Sequence, residues 1–383
     1  MNRRIKLCLA FALVLIMSVC LLSISAAAEE GQTNSAVQVL NPMEWAEQYP
    51  DQYNSWVAGM HEEYGQSDES GKINAWYTVV QSDVPNMVGC YRCHSGTFLP
   101  LLEKYGDDLL TTDLSQIQLE ITTLANNTGV GCYSCHGNEP GEPTIMNYWI
   151  TEAAEKGGIE TKQENLRCAQ CHSLPDWSTI GAAGALGFDE YKDGNPDPST
   201  WSLLQYGIDV ESVWNHFDEI GFMQPRMTTE MPFNNYYGST MERLGVTCAD
   251  CHTTKAVNAA GEEYTVHIFQ GVSNNEAIYD NCAACHQDGV DGRKEAVAAL
   301  AASYDENLAK AEAALADLSA AIEASSVSDD VKAEASHLLA KATFYTDYGT
   351  DSSKGVHSYG GGMSEKCFEQ ALAIVEEAKA LLG

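Results

Sequence analysis

Five short stretches of this chain carry two cysteines three residues apart, with a histidine directly after the second. They are Cys90-Tyr91-Arg92-Cys93-His94, Cys132-Tyr133-Ser134-Cys135-His136, Cys168-Ala169-Gln170-Cys171-His172, Cys248-Ala249-Asp250-Cys251-His252 and Cys282-Ala283-Ala284-Cys285-His286. Thiols at that spacing can reach the two vinyl groups on one porphyrin edge and hold them as thioethers. The adjoining imidazole is then placed to put a nitrogen on the iron. A lone C-x-x-C would also fit a zinc half-site, a redox dithiol or half of two disulfides. None of those needs a histidine at the next position, and here it is present all five times. The chain therefore reads as a pentahaem cytochrome c, with His94, His136, His172, His252 and His286 as proximal iron ligands.

The elements that must hold these motifs are less regular. Between them run loops such as Gly137-Asn138-Glu139-Pro140-Gly141-Glu142-Pro143 and Asp193-Gly194-Asn195-Pro196-Asp197-Pro198. Such loops would argue against an ordinary domain, but covalently held macrocycles can supply much of a core for loops to pack on. No strand signal extends beyond a few residues. The expected fold is mainly α with long irregular loops, a multihaem cytochrome built around five covalent haem c groups. Residues 295–323 place Val297, Leu300, Tyr304, Leu308, Ala311, Leu315, Leu318 and Ile322 at spacings of three and four, an amphipathic helix. Ser328, followed by two aspartates, is an N-cap for a second helix to about Tyr345, and Ser364 starts a third. The expected organisation is a signal peptide over 1–28, a pentahaem domain over 29–290 and a helical region over 291–383. Cys367 stands outside the motifs, either as a small buried hydrophobe or as an interface cross-link.

Residues 1–28 combine Arg3, Arg4 and Lys6, an apolar stretch from Leu7 to Leu22 and an Ala26-Ala27-Ala28 end, the pattern of a secretory signal peptide. The mature protein is expected outside the cytoplasm, in the periplasm or on the outer face of the envelope, unless this segment stays as a membrane tether. Its loss removes three basic residues and takes the formal charge from −33 to −36. A surface this acidic repels phosphate backbones, so nucleic acid is not an expected partner. It points instead to basic redox proteins.

Five histidines lie outside the motifs: His61, His216, His267, His337 and His357. Their positions, and the run Leu244-Gly245-Val246-Thr247-Cys248-Ala249-Asp250-Cys251-His252 followed by Gly261-Glu262-Glu263-Tyr264-Thr265-Val266-His267, resemble the pentahaem ammonia-forming cytochrome c nitrite reductases. The resemblance implies that His61 is the distal ligand of the third haem, His267 of the second and His357 of the fourth. It also implies a homodimer through the C-terminal helices. The family's fifth-haem ligand is a histidine seven residues before the fourth motif. Met241 stands there, either as a ligand or packed on the porphyrin.

The resemblance breaks where the family does its chemistry, at an open first haem lined by Arg, Tyr and His. His94 replaces the usual proximal Lys, although some members keep His. The third motif continues as Ser173-Leu174-Pro175-Asp176-Trp177, without the family's Tyr or its calcium-binding Glu, so calcium is not expected. Met231-Pro232 stands where the family has His-Pro, and 62–89 contains no Arg. Nitrite reduction needs proton donors and cations at the developing charge. The leading reading is thus an electron-transfer cytochrome, fed by a membrane quinol-oxidising cytochrome and passing electrons to a separate reductase or other redox protein. His216, in Val213-Trp214-Asn215-His216-Phe217, either caps the first iron or is a packed or surface residue, and His337 reads as a surface residue. The alternatives are an active reductase of nitrite or a related small substrate, and a subunit of an extracellular cytochrome filament.

Overall fold

The computed structural model describes residues 42–59, 88, 91–94, 98–112, 116–117, 120, 130–137, 141, 143–179, 197–221, 232–269, 271, 276–351, 353–360 and 362–383. The signal segment, His61, Cys90, Met231 and the side chain of His94 lie outside that description. The architecture is mainly helical. In chain order come α1 (Pro42–Gln48), α2 (Pro50–Gly59), α3 (Tyr91–His94), α4 (Phe98–Tyr105), α5 (Tyr133–His136), α6 (Trp149–Lys156) and α7 (Gln163–His172). Then follow α8 (Val210–Ile220), α9 (Pro232–Tyr236), α10 (Thr240–Arg243), α11 (Cys248–His252), strands β1 (Thr254–Val257) and β2 (Glu263–Val266), and α12 (Ile278–Ala283). Three long helices end the chain: α13 (Gly289–Ala324), α14 (Asp329–Tyr348) and α15 (Met363–Leu382). No helix among the described residues is long and apolar enough to cross a membrane.

The long helices follow from spacing. In α13 the buried residues are Tyr304, Ala311, Leu318 and Ile322, one narrow stripe on a helix of 36 residues and about 54 Å. The Ser328 side chain accepts from the Val331 N–H and starts α14, leaving one fewer unpaired donor in its first turn. In α15, Cys367, Phe368, Ala371, Ile374, Val375 and Ala378 are buried, three or four apart on one face. Cys367 is a free, buried thiol. Beside it, a Cβ on Gly349 would stand 2.7 Å from the Cys367 Cβ, so only glycine lets the end of α14 come this close.

One hydrophobic core joins these helices to the region that carries the motifs. Trp149 and Trp201 pack at 5.5 Å between ring centroids, with Phe98 edge-on to both at 5.8 and 6.0 Å. The same core continues through Val213, Trp214 and Phe217 of α8 to Leu338 and Phe344 of α14. Val210, Val213, Trp214 and Phe217 lie three, four and seven apart, so α8 turns one apolar face inward. Polar clasps sit at its start, where Glu211 accepts from Lys341 Nζ at 2.6 Å and from Tyr345 OH at 2.7 Å. Strands β1 and β2 form an antiparallel hairpin pairing Thr254 with Val266 and Val257 with Glu263. Its second strand delivers the chain to His267.

Candidate functional site

Each C-x-x-C-H lies on, or at the end of, a single helical turn: α3, α5, the end of α7, α11, and α12 with the turn after it. Residues three and four apart share one helix face, so in the second to fifth motifs the fold itself puts two thiols and an imidazole on one side. The local bonding repeats between motifs. In the second, the Cys135 and His136 N–H groups donate to the Cys132 carbonyl at 3.2 and 2.9 Å; in the fifth, Cys285 and His286 donate to the Cys282 carbonyl at 3.1 and 3.0 Å. In α11 the N-terminus is closed by a reciprocal cap between Thr247 and Asp250, so the inter-cysteine Asp250 also serves the helix.

Two of these imidazoles face a histidine from elsewhere in the chain. The ring centroids of His136 and His267 are 6.3 Å apart, and those of His252 and His357 are 6.0 Å apart with planes inclined by 24°. Two imidazole nitrogens each about 2 Å from one metal put ring centroids about 6 Å apart. Both facing rings are oriented through Nδ1. His267 Nδ1 lies 2.8 Å from the Thr265 carbonyl oxygen, and its backbone N–H donates to Ser55 Oγ. His357 Nδ1 lies 3.1 Å from Asp351 Oδ1, in a carboxylate that also accepts from the Ser353 N–H and hydroxyl. Such outer partners fix the tautomer and free Nε2 to coordinate. Burial, and for His136 the neighbouring His267 as well, lowers the pKa of His136 and His267, which favours the neutral ring a metal takes. Asp351 is buried, which raises its pKa, but the hydrogen bonds from His357 and Ser353 win and hold it below the usual carboxylate range.

The motifs also meet one another. Gln170 of the third donates to the Ser134 carbonyl of the second at 3.1 Å, Asn147 bridges Gln170 to the Arg92 carbonyl of the first, and the Cys248 N–H of the fourth donates to Asn165 Oδ1, on the helix that carries the third, at 3.1 Å. Asn281 Nδ2 ties the fourth and fifth motifs by donating to the carbonyls of Asp250 and Thr253 at 2.9 and 3.1 Å. The third motif is thus a hub touching the first, second and fourth, and the fifth extends from the fourth. Burial raises the Cys132 thiol to about 11 and Cys135 to about 12. None of the nine described motif cysteines is paired in a disulfide. This donor set, paired thiols on one face with an imidazole and a second imidazole opposite, fits haem c, which would supply one-electron iron chemistry.

The other candidates are placed differently. His216 Nε2 lies 3.0 Å from the Tyr206 hydroxyl and 3.6 Å from Asp176 Oδ2, with its ring stacked on Tyr206 at 4.3 Å. Capping an iron through Nε2 would mean giving up Tyr206. Met241 is half-buried on α10, within the turn that precedes the fourth motif. The His337 side chain is 44% exposed, edge-on to Trp214 and 3.6 Å from Asp218. Sequence reasoning missed Asp351 as the orienter of His357; an Asp-x-Ser turn just ahead of a candidate ligand was the available signal. It also missed Asn147 and Gln170, whose polarity gave no hint of burial.

The family model for cytochrome c552 matches residues 70–382. Among solved structures, the chain resembles the catalytic subunit of cytochrome c nitrite reductase from Desulfovibrio desulfuricans ATCC 27774, a structure described for its two calcium sites. The TM-score is 0.65 at 16% identity, over 92% of this chain and 90% of that one. An undecahaem cytochrome from the S-layer of Carboxydothermus ferrireducens aligns at 15% identity and a TM-score of 0.34, over 84% of this chain and 44% of that one.

Proposed function

The chain belongs to the cytochrome c552 family, and on that footing we propose that it is an extracytoplasmic pentahaem electron carrier on a nitrite-reductase-like scaffold. It binds five haem c groups through its five motifs. It takes single electrons from a membrane quinol-oxidising cytochrome and hands them to a separate reductase or other redox protein. The observation that carries this reading is the pair of opposed, Nδ1-anchored imidazoles, His136 with His267 and His252 with His357. Irons held from both sides at the second and fourth motifs pass electrons without binding substrate, so a carrier and a reductase differ only at the first haem. The hydrogen bonds among motifs add the continuity an electron path needs. The family's pocket Tyr and His are missing at their expected places, where Pro175 and Met231 stand instead. The test is a haem assay on the exported protein followed by spectroscopy: five haems per chain, with low-spin iron at the second and fourth sites.

A second reading, a working reductase at the first haem, is favoured by one cluster. Tyr206, His216 and the fully buried Asp176 bring a phenol, an imidazole and a carboxylate within hydrogen-bond range, all able to move protons. Turnover of nitrite or hydroxylamine with a reduced donor, lost in Tyr206→Phe, would establish it.

A further inference from the structure

Arg92 is the group that haem attachment does not use. It stands between the two cysteines of the first motif and is 4% exposed. Its Nη1 donates to the Trp201 carbonyl at 2.7 Å, and its buried Nε has no hydrogen-bond partner. Among the described residues no carboxylate reaches it within 4.0 Å. The buried Asp176, whose N–H shares the Trp201 carbonyl, turns its carboxylate to Ser178, Tyr206 and His216.

Arginine carries a fixed positive charge, and burying a charge without a partner costs far more than leaving it at the surface. The chain nonetheless holds it in place. Asn147 Nδ2 donates to the Arg92 carbonyl at 3.1 Å, the Asn147 N–H donates to Gln170 Oε1 at 2.9 Å, and Gln170 Nε2 donates to the Ser134 carbonyl at 3.1 Å. Arg92, Ser134 and Gln170 are inter-cysteine residues of the first, second and third motifs, so a buried polar clamp fixes the backbone of the first motif against the other two, while the Trp201 carbonyl holds the guanidinium. The Trp201 carbonyl that takes the guanidinium also accepts from the Asp176 N–H at 2.9 Å, in the segment that leaves the third motif, so the cation lies close to the third motif as well as the first.

A one-electron reduction, Fe(III) to Fe(II), cancels one unit of positive charge without needing a proton. A fixed cation nearby in a poorly screened interior therefore favours the reduced form. We propose that Arg92 is a redox-tuning cation that raises the reduction potentials at the first and third motifs, so that electrons from the reduced donor cytochrome collect there. The inference rests on haem attachment at those motifs, and the test separates the two.

Haem content is measured first on the full-length exported protein, then potentials by redox titration followed optically and by electron paramagnetic resonance. Wild type without haem would overturn the attachment reading itself. With five haems in place, Arg92→Gln lowers two of the potentials and Arg92→Lys restores them close to wild type. Asn147→Asp, which sets a buried carboxylate against the backbone of the first motif, lowers the same two even if the Arg92 variants fail to load haem. Unchanged potentials in Arg92→Gln, an equal shift in Arg92→Lys, or unchanged potentials in Asn147→Asp would overturn the proposal.

Discussion

An imidazole can bind a metal through either nitrogen, and whatever holds the other one aims the ring. His267 and His357 show two ways of doing this, one with a backbone carbonyl and one with a buried carboxylate. If they are distal ligands, His267→Ala and His357→Ala each turn one low-spin haem high-spin while the haem count stays at five, as electron paramagnetic resonance would show. Two unchanged low-spin spectra would remove them from the iron. Asp351→Ala, which frees the His357 ring, should make that imidazole about 10–100-fold easier for cyanide to displace, read from the Soret band. At this scale the sequence was most legible where chemistry demands fixed spacing, as in the five motifs. Asp351, Asn147 and Gln170 stayed hidden because burial and partners six to fifty-five residues away leave no local pattern.

At the scale of elements, periodicity carried the C-terminal helices. The expected starts near Ser328 and Ser364 agree with helices beginning at Asp329 and Met363, and the first helix runs six residues earlier than the apolar spacing alone required. The motif helices, four or five residues long in α3, α5 and α11, are too short to show any period. The β1–β2 hairpin has four-residue strands and escaped for the same reason. The join between α8 and α14 is where packing can be tested. Trp214→Ala empties a fully packed site and should cost about 3–5 kcal/mol, seen as a fall in melting temperature. Glu211 adds a pH dependence to that join. Burial pushes its pKa up, but the hydrogen bonds from Lys341 and Tyr345 outweigh it and depress it below the usual carboxylate range. A depressed folded value means stabilisation that is present above the unfolded pKa and lost as pH falls through the folded one. Melting temperature should therefore drop below about pH 4.5 more steeply in wild type than in Glu211→Gln.

For the whole molecule, the formal charge of −33, with haem propionates still to be added, argues for basic partners and salt-sensitive association. The proposed donor cytochrome should reduce the protein more slowly as ionic strength rises, a trend that stopped-flow mixing would detect and that a neutral contact would lack. The long α13, with buried residues along only one stripe, is where the proposed homodimer would pack. Whole-molecule architecture was legible because five repeated motifs announce a haem-built core. Which motif meets which was not, because the hub at the third motif arises from hydrogen bonds between Gln170 and Ser134 and between Cys248 and Asn165, far apart in sequence. The most direct test of an electron carrier is one spectroscopic titration of the oxidised, fully haem-loaded protein with nitrite and hydroxylamine. The account predicts no spectral change on adding either substrate and no turnover when a reduced donor is supplied; a ligand-responsive high-spin haem with steady ammonia production would contradict it.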